Sequence, residues 1–376
     1  MMQFLRNTLP ALTAAPLIAT LPNVISGSVF RKNCIINGAM LIAQRGTSFV
    51  AAASSIYVLD RWSYNKAGAM VHTISQDTDV PTVAQAGVLF TNSLRLNLTT
   101  ADTAIAAGDY TFISQPIEGY NFQRIAQRVF TASFWVKATT AGVYSIAFRN
   151  SGFDRSYVAN FTISASATWE YKTVTVLASP SAGTWNYTTG AGLRVDIVLA
   201  AGTTFQTTSG AWQTGGLIGT ATNVNGVNTG ATDFRITGLQ VEPGNVATEF
   251  DMVNIEDEIS ACQRYFWKSF PFAVAPIQNG GFAGSLIYRV ANAGIFSTSR
   301  NPTFPVMMRA APTVTTYNPQ AANANWRNLS IPADSGVPTI LAGSNTESQF
   351  EITNPQVVGD LAGQHISIHL TADADL

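Results

Sequence analysis

Charge is what this 376-residue chain has least of: Asp, Glu, Lys and Arg make up 11% of it, against about 25% in an ordinary soluble domain. Formal net charge is −1 with no block of basic residues, so the electrostatic footprint of a nucleic-acid binder is missing, and a role on DNA or RNA is excluded on that ground. With two cysteines, Cys34 and Cys262, and three histidines, no disulfide framework and no Cys/His spacing for a metal can be written. Burial of both thiols as small hydrophobes is the expected reading. The chain has no Gly-x-Ser-x-Gly elbow, no Walker-type phosphate loop and no HExxH motif. Carboxylates that could serve glycoside hydrolysis, such as Glu118, Asp154, Glu170 and Asp196, are scattered along the sequence, and each reads as a solvated side chain. No enzyme, no cofactor and no metal are expected.

What is abundant is apolar and hydroxyl-bearing: 46% hydrophobic residues together with many Gly, Ala, Ser, Thr and Asn. That content supports two or three cores at about 100–200 residues per domain. A neutral surface of this kind gives little colloidal repulsion and suits burial between subunits.

Residues 1–32 hold an apolar stretch punctuated by Pro10, Pro16 and Pro22. The prolines interrupt a signal-type helix, and the stretch is too short and broken to span a membrane. It reads as an anchoring arm lying on another protein or along its own oligomer. Residues 33–252 show short alternating segments separated by Gly, Asn, Asp, Pro and Ser-rich turns. Val88 to Leu98, Tyr110 to Pro116, Phe130 to Ala138, Val143 to Arg149, Ala159 to Ile163, Trp169 to Leu177, Leu193 to Ala200 and Phe234 to Glu242 are predicted strands of a jelly-roll-like β-sandwich. Residues 253–269 read as a connecting helix: Asn254 as cap, Glu256, Asp257 and Glu258 in the first turn, Arg264 and Lys268 near the end. Its stripe of Ile255, Ile259, Cys262 and Phe266 is the candidate oligomer seam. Residues 270–376 read as a second, smaller β-sandwich, so the fold class is mainly β.

Three segments carry a family resemblance. Gly238-Leu239-Gln240-Val241-Glu242-Pro243-Gly244, then Ala247-Thr248-Glu249-Phe250, then Cys262-Gln263-Arg264-Tyr265-Phe266 resemble the middle of bacteriophage tail-fibre and related virion adhesin proteins. Asn37-Gly38, Gln44-Arg45-Gly46-Thr47-Ser48-Phe49 and Asp60-Arg61-Trp62 resemble the opening of that group's carbohydrate-binding-module-like domain. Phe304 to Val314 resembles its C-terminal domain. The resemblance implies a non-enzymatic structural protein of the virion, an extracellular particle. It further implies a homotrimer with host surface polysaccharide as partner; residues 1–32 fall outside the matching segments, and their reading as the arm that holds the protein to other virion proteins comes from their own apolar, proline-punctuated pattern. A purely architectural head-fibre, collar or decoration protein is the alternative, and a polysaccharide depolymerase the second.

Glycan recognition on a sandwich uses aromatic rings against the apolar faces of sugars. Trp185 and Tyr187 in one loop, and Trp212 in the long Gly and Thr-rich stretch Gln206 to Thr232, are the ligand-binding candidates because loops on a rigid scaffold are where binding sits. Trp62, Trp135 and Trp169 fall in strand patterns and are assigned to the core. Asp60-Arg61-Trp62 reads as a structural ion pair beside a core tryptophan. His72 is placed on the surface, and His365 and His369 on the outer polar face of one strand. Asp77-Thr78-Asp79 lacks the full pattern of a calcium loop.

Overall fold

A computed structural model describes residues 31–230, 232–290, 295–296, 301–355 and 361–376; the arm expected over residues 1–32 lies almost entirely outside them. The first part builds β1 (Ser48–Phe49), β2 (Ile56–Tyr57), β3 (Ser63–Ala67), β4 (Val71–Asp77), β5 (Ser93–Thr100), β6 (Tyr110–Glu118) and β7 (Phe130–Ala138). It continues with β8 (Gly142–Asn150), β9 (Arg155–Ile163), β10 (Glu170–Val176), β11 (Ala191–Ala201), β12 (Trp212–Thr214) and β13 (Asp233–Pro243). Two short helices, α1 (Val83–Ala86) and α2 (Gly119–Phe122), sit in the connections. The strands form two antiparallel sheets, one ordered β1-β4-β5-β13-β7-β10 and the other β12-β9-β8-β11-β6-β3-β2. The chain is mainly β, and this first part is a two-sheet sandwich.

The core follows from alternation. In β7, Phe130, Ala132, Phe134, Val136 and Ala138 point inward, met by Leu193, Val195, Ile197 and Leu199 of β11, because successive side chains leave opposite faces of a strand. In β13 the phase changes: Phe234 and Ile236 are buried, and so are Leu239 and Val241. The ladder with β7 shifts register between Thr237 and Gln240, a bulge that turns an odd residue inward where an even one had been. Gly238, at φ +63° and with the Phe90 ring 2.7 Å from where a Cβ would stand, makes this shift possible.

The stretch Gln206 to Thr232, expected as a free binding loop, is largely a cover. It contributes β12 to the sheet edge, and Ile218 packs with Phe112, Val158 and Val198 on the outer face of the second sheet. Val227 enters the main core.

The connecting helix is shorter than expected. α3 spans Ile255–Gln263, with Asn254 at the cap position but making no side-chain cap bond. Residues Phe266–Lys268 form β14 instead, paired with the last strand, β22 (His365–Asp373). Before β22 come β15 (Leu286–Arg289), β16 (Ile295–Phe296), β17 (Thr313–Tyr317), β18 (Arg327–Asn328), β19 (Ala333–Asp334), β20 (Thr339–Ile340) and β21 (Ile352–Pro355). β14, β15, β17 and β18 all pair with β22, while β20 and β16 flank β21. Trp326, Phe350, Ile352, Ile366, Ile368 and Leu370 form this second core. No helix among the described residues is long and apolar enough to cross a membrane.

Beyond β22 the chain returns to the sandwich. Asp375 pairs with Arg61 and, at 2.7 Å, with Arg45, which also reaches Asp373 at 2.9 Å. Arg61 lies 3.5 Å over the Tyr265 ring and Arg45 3.7 Å over Phe266. Tyr57 Oη donates to the Leu376 carbonyl oxygen at 2.5 Å. Asp60-Arg61-Trp62 is therefore structural, as read, but the ion-pair partner of Arg61 is Asp375; Asp60 instead accepts from Gln44 at 2.6 Å through both carboxylate oxygens. Cys34 and Cys262 are buried free thiols.

Candidate functional site

The three loop aromatics singled out from sequence do come together. Trp185 stacks on Phe122 at 5.3 Å and 15°, Tyr187 stacks on the same ring at 5.9 Å and 13°, and Trp212 meets Trp185 edge-on at 5.6 Å. Their role is mainly packing. All three are partly buried against the sandwich core. Trp185 Nε1 donates to the Ala182 carbonyl at 3.1 Å and Trp212 Nε1 to the Leu177 carbonyl at 2.8 Å. The two indole N–H groups are thus spent on backbone carbonyls, that of Trp185 within its own loop and that of Trp212 on the segment that follows β10.

The outer face of the first sheet carries a different aromatic pair. Trp135 lies between inward Phe134 and Val136, so the pleat turns it outward. It is only partly buried, which corrects its assignment to the core; Trp62 and Trp169 are buried as expected. Directly opposite it in the β7–β10 ladder is Tyr171, 43% exposed, with ring centroids 5.3 Å apart and planes at 43°. The two rings line a cleft of about 290 Å³ together with Phe90, Ser133, Glu249 and Phe250.

Both walls of this cleft are locally specified. On one side, Thr82 and Gln85 form a capping box at α1, with Thr82 N–H donating to Gln85 Oε1 at 2.9 Å, and Gly87 closes the turn at φ +74°. Phe90 then meets Phe250 edge-on at 5.1 Å. On the other side, buried Glu242 accepts from Thr248 N–H at 2.8 Å, from Thr248 Oγ1 at 2.6 Å and from Gln240 Nε2 at 2.7 Å. That carboxylate folds the segment Asn245 to Phe250 back over the sheet after the Pro243-Gly244 turn. The result is an aromatic floor between walls that offer hydroxyl, carboxylate and amide groups.

The remaining sequence candidates are accounted for elsewhere. In the proposed oligomer seam, Ile255 is 45% exposed and Ile259 is partly buried, but Cys262 is enclosed by Ile36, Ile42 and Tyr265. Phe266 is buried in β14 beneath Arg45. The four do not form one helical stripe, because the helix has ended before Phe266. His72 is buried rather than on the surface, with Nδ1 2.7 Å from Tyr64 Oη; burial lowers its pKa to about 4. His365 is exposed, but His369 is 0% exposed. Its ring stacks on Phe270 at 3.9 Å. Its Nε2 bonds the Gly281 carbonyl at 2.9 Å and its Nδ1 the Ser269 hydroxyl at 3.0 Å, which makes Nε2 the protonated nitrogen.

The scattered carboxylates are each held by their own partners. Glu118, buried, accepts both arms of Arg264 at 2.9 and 2.6 Å and the Tyr265 hydroxyl at 2.6 Å. Asp196, also buried, pairs with Arg149 at 2.6 Å. Neither is the solvated side chain expected. Glu170 pairs with Lys172, and Asp154 accepts from Asn150 and Thr184. Asp79 is bonded by Lys137 at 2.7 Å and by Trp169 Nε1 at 2.9 Å; burial alone would raise its pKa, but these bonds hold it below the usual carboxylate value. Among the described residues no group of three or more His, Cys, Asp and Glu is placed to hold a metal ion.

No protein-family model matches the chain, and no curated protein matches it. Among solved structures, 57% of the chain is similar to 22% of the chain holding the enzymatically active domain of tailspike protein 4 of bacteriophage CBA120, at 17% identity and a TM-score of 0.30. A CBM4 structure matches over 55% of this chain and 98% of its own at 13% identity and a TM-score of 0.30. A family 11 carbohydrate-binding module from Clostridium thermocellum, in complex with a β-1,3-1,4-mixed-linked tetrasaccharide, matches over 54% of this chain and 99% of its own, at 8% identity and a TM-score of 0.28.

Proposed function

We propose that this protein is a non-enzymatic structural component of a virus particle, of the tail-fibre kind, that binds cell-surface glycan through the Trp135–Tyr171 cleft. The observation that carries the binding role is an outward tryptophan directly opposite an exposed tyrosine on a rigid sheet, between two walls that supply polar groups. Sugar rings present C–H faces to aromatic floors and hydroxyls to polar rims, so this cleft has the chemistry a saccharide needs. The virion role is supported by the resemblance of the segments at 37–62, 238–266 and 304–314, in order along the chain, and by a surface poor in charge. Residues 1–32 serve as the anchor in this reading, and the assembled form is a homotrimer.

The test is binding of the full-length protein to host cells and to purified envelope polysaccharide, with a glycan array to narrow the sugar. Trp135→Ala and Tyr171→Ala are each expected to weaken saturable binding by about five- to 150-fold, in keeping with about 1–3 kcal/mol for a ring stacked on an aromatic side chain. Undiminished binding in both variants would refute the cleft. Release of reducing ends from the polysaccharide would refute the non-enzymatic part, and a monomer by mass photometry would refute the trimer.

A further inference from the structure

A second cavity, of about 630 Å³, lies where the sandwich meets α3, and three arginines line it: Arg31, Arg124 and Arg264. In a chain whose Lys and Arg number only 21, three guanidinium groups around one opening is a local concentration that needs a reason. Two of the three are neutralised. Arg264 grips Glu118 with both arms at 2.9 and 2.6 Å, and Arg31 pairs with Glu258. Arg124 makes no ion pair among the described residues; its NH2 donates to the Lys32 carbonyl at 3.2 Å. The cavity therefore carries one uncompensated positive charge, with Ile36, Ala261 and Tyr265 as its less polar walls.

Its position ties it to the rest of the surface. The turn that supplies Arg124 begins at α2, where Phe122 supports the stacked Trp185 and Tyr187 and where Tyr120 is 52% exposed. The aromatic ledge and the arginine cavity are two sides of one turn, held in register by Gln123 Nε2 donating to the Tyr187 carbonyl at 2.6 Å. The volume falls within the range of about 300–1,000 Å³ typical of small-ligand sites. A guanidinium offers a planar fork that matches a carboxylate. A single net charge suits a monoanion, whereas a dianionic phosphate would be left half-compensated in a partly desolvated site.

We infer that this cavity takes the carboxylate of an acidic sugar, a uronate residue within an anionic polysaccharide, with Arg124 as its counter-ion. The inference rests on the glycan-binding reading and gives the class of glycan. The experiment is calorimetric titration of the full-length protein with trigalacturonate and with its carboxyl-reduced, neutral counterpart, at low and at moderate salt. Trigalacturonate is expected to bind at least tenfold more tightly than the neutral trisaccharide and to weaken with salt. Arg124→Gln is expected to abolish that preference without lowering the melting temperature, and Arg124→Lys to restore part of it. Equal affinity for the acidic and neutral forms, unchanged trigalacturonate binding in Arg124→Gln, or no trigalacturonate binding at all would overturn the inference. Those outcomes leave the Trp135 test untouched: polysaccharide binding lost in Trp135→Ala but retained in Arg124→Gln refutes the acidic-sugar site alone.

Discussion

Removing the carboxylate of Asp375 tests the join between the sandwich and the C-terminal strands at its most buried point. Arg61 and Asp375 are 1% and 3% exposed in their side chains, so Asp375→Ala would strand a guanidinium away from water. Arg61 would keep its bond to the Pro116 carbonyl at 2.6 Å and its place over the Tyr265 ring, and Arg45 would keep Asp373. Breaking a buried pair from one side costs about 3–5 kcal/mol, most of it the penalty of the charge left behind. For a chain of 376 residues unfolding as one unit, that corresponds to a fall of about 5 °C in Tm. Urea denaturation followed by tryptophan fluorescence gives the free energy directly. The double variant Arg61→Met with Asp375→Leu is expected to recover most of the loss, because two apolar side chains remove both desolvation penalties together. A cost below about 1 kcal/mol for Asp375→Ala, the range of exposed pairs, would refute the view that this contact welds the two parts.

Stability is also expected to fall in mild acid through His72. Its folded pKa of about 4 lies below the ordinary value of 6.5, so the unfolded chain binds more protons between those values. The stabilisation is complete above pH 6.5 and is lost as pH drops toward 4, by about 3 kcal/mol; urea midpoints at pH 7 and pH 4.5 measure it, and His72→Gln should flatten the difference. Trp185→Ala and Trp212→Ala are each expected to cost about 2 kcal/mol of stability, while Trp135→Ala costs little and acts on glycan binding; the reverse pattern would return the site to the loop. Gly202→Ala should destabilise by about 2 kcal/mol or more, read as a lowered thermal midpoint, since a Cβ there would lie 2.0 Å from the Ala106 carbonyl oxygen.

Much of the sandwich was legible in local pattern. β7 has the bounds that alternation assigns to it, Phe130–Ala138, and β8, β11 and β13 differ from their predicted spans only at the ends. The strands β1 to β4 and β12 escaped notice because most are short, and β3 and β4 carry polar residues on faces that the fold nevertheless half-buries. The site was harder to see. Alternation alone turns Trp135 away from Phe134 and Val136, yet an apolar ring in an apolar strand reads as core until the sheet's outer face is known. The loop tryptophans showed the opposite ambiguity, for a loop position says nothing about which backbone carbonyl will claim an indole N–H.

The amino-acid sequence by itself determined which stretches have an apolar face, where the turns fall and that α3 starts after Asn254, because these depend on neighbours a few residues apart. Tertiary structure alone decided that Phe266–Lys268 leaves the helical stripe to become a strand, since its hydrogen-bond partners on β22 lie about a hundred residues downstream. It likewise decided that Arg61 answers to Asp375, 314 residues away, and that the walls around Trp135 close into a cleft. Periodicity reports the face a side chain is on; what meets that face is fixed only when distant segments close on one another and each buried polar group must find a partner.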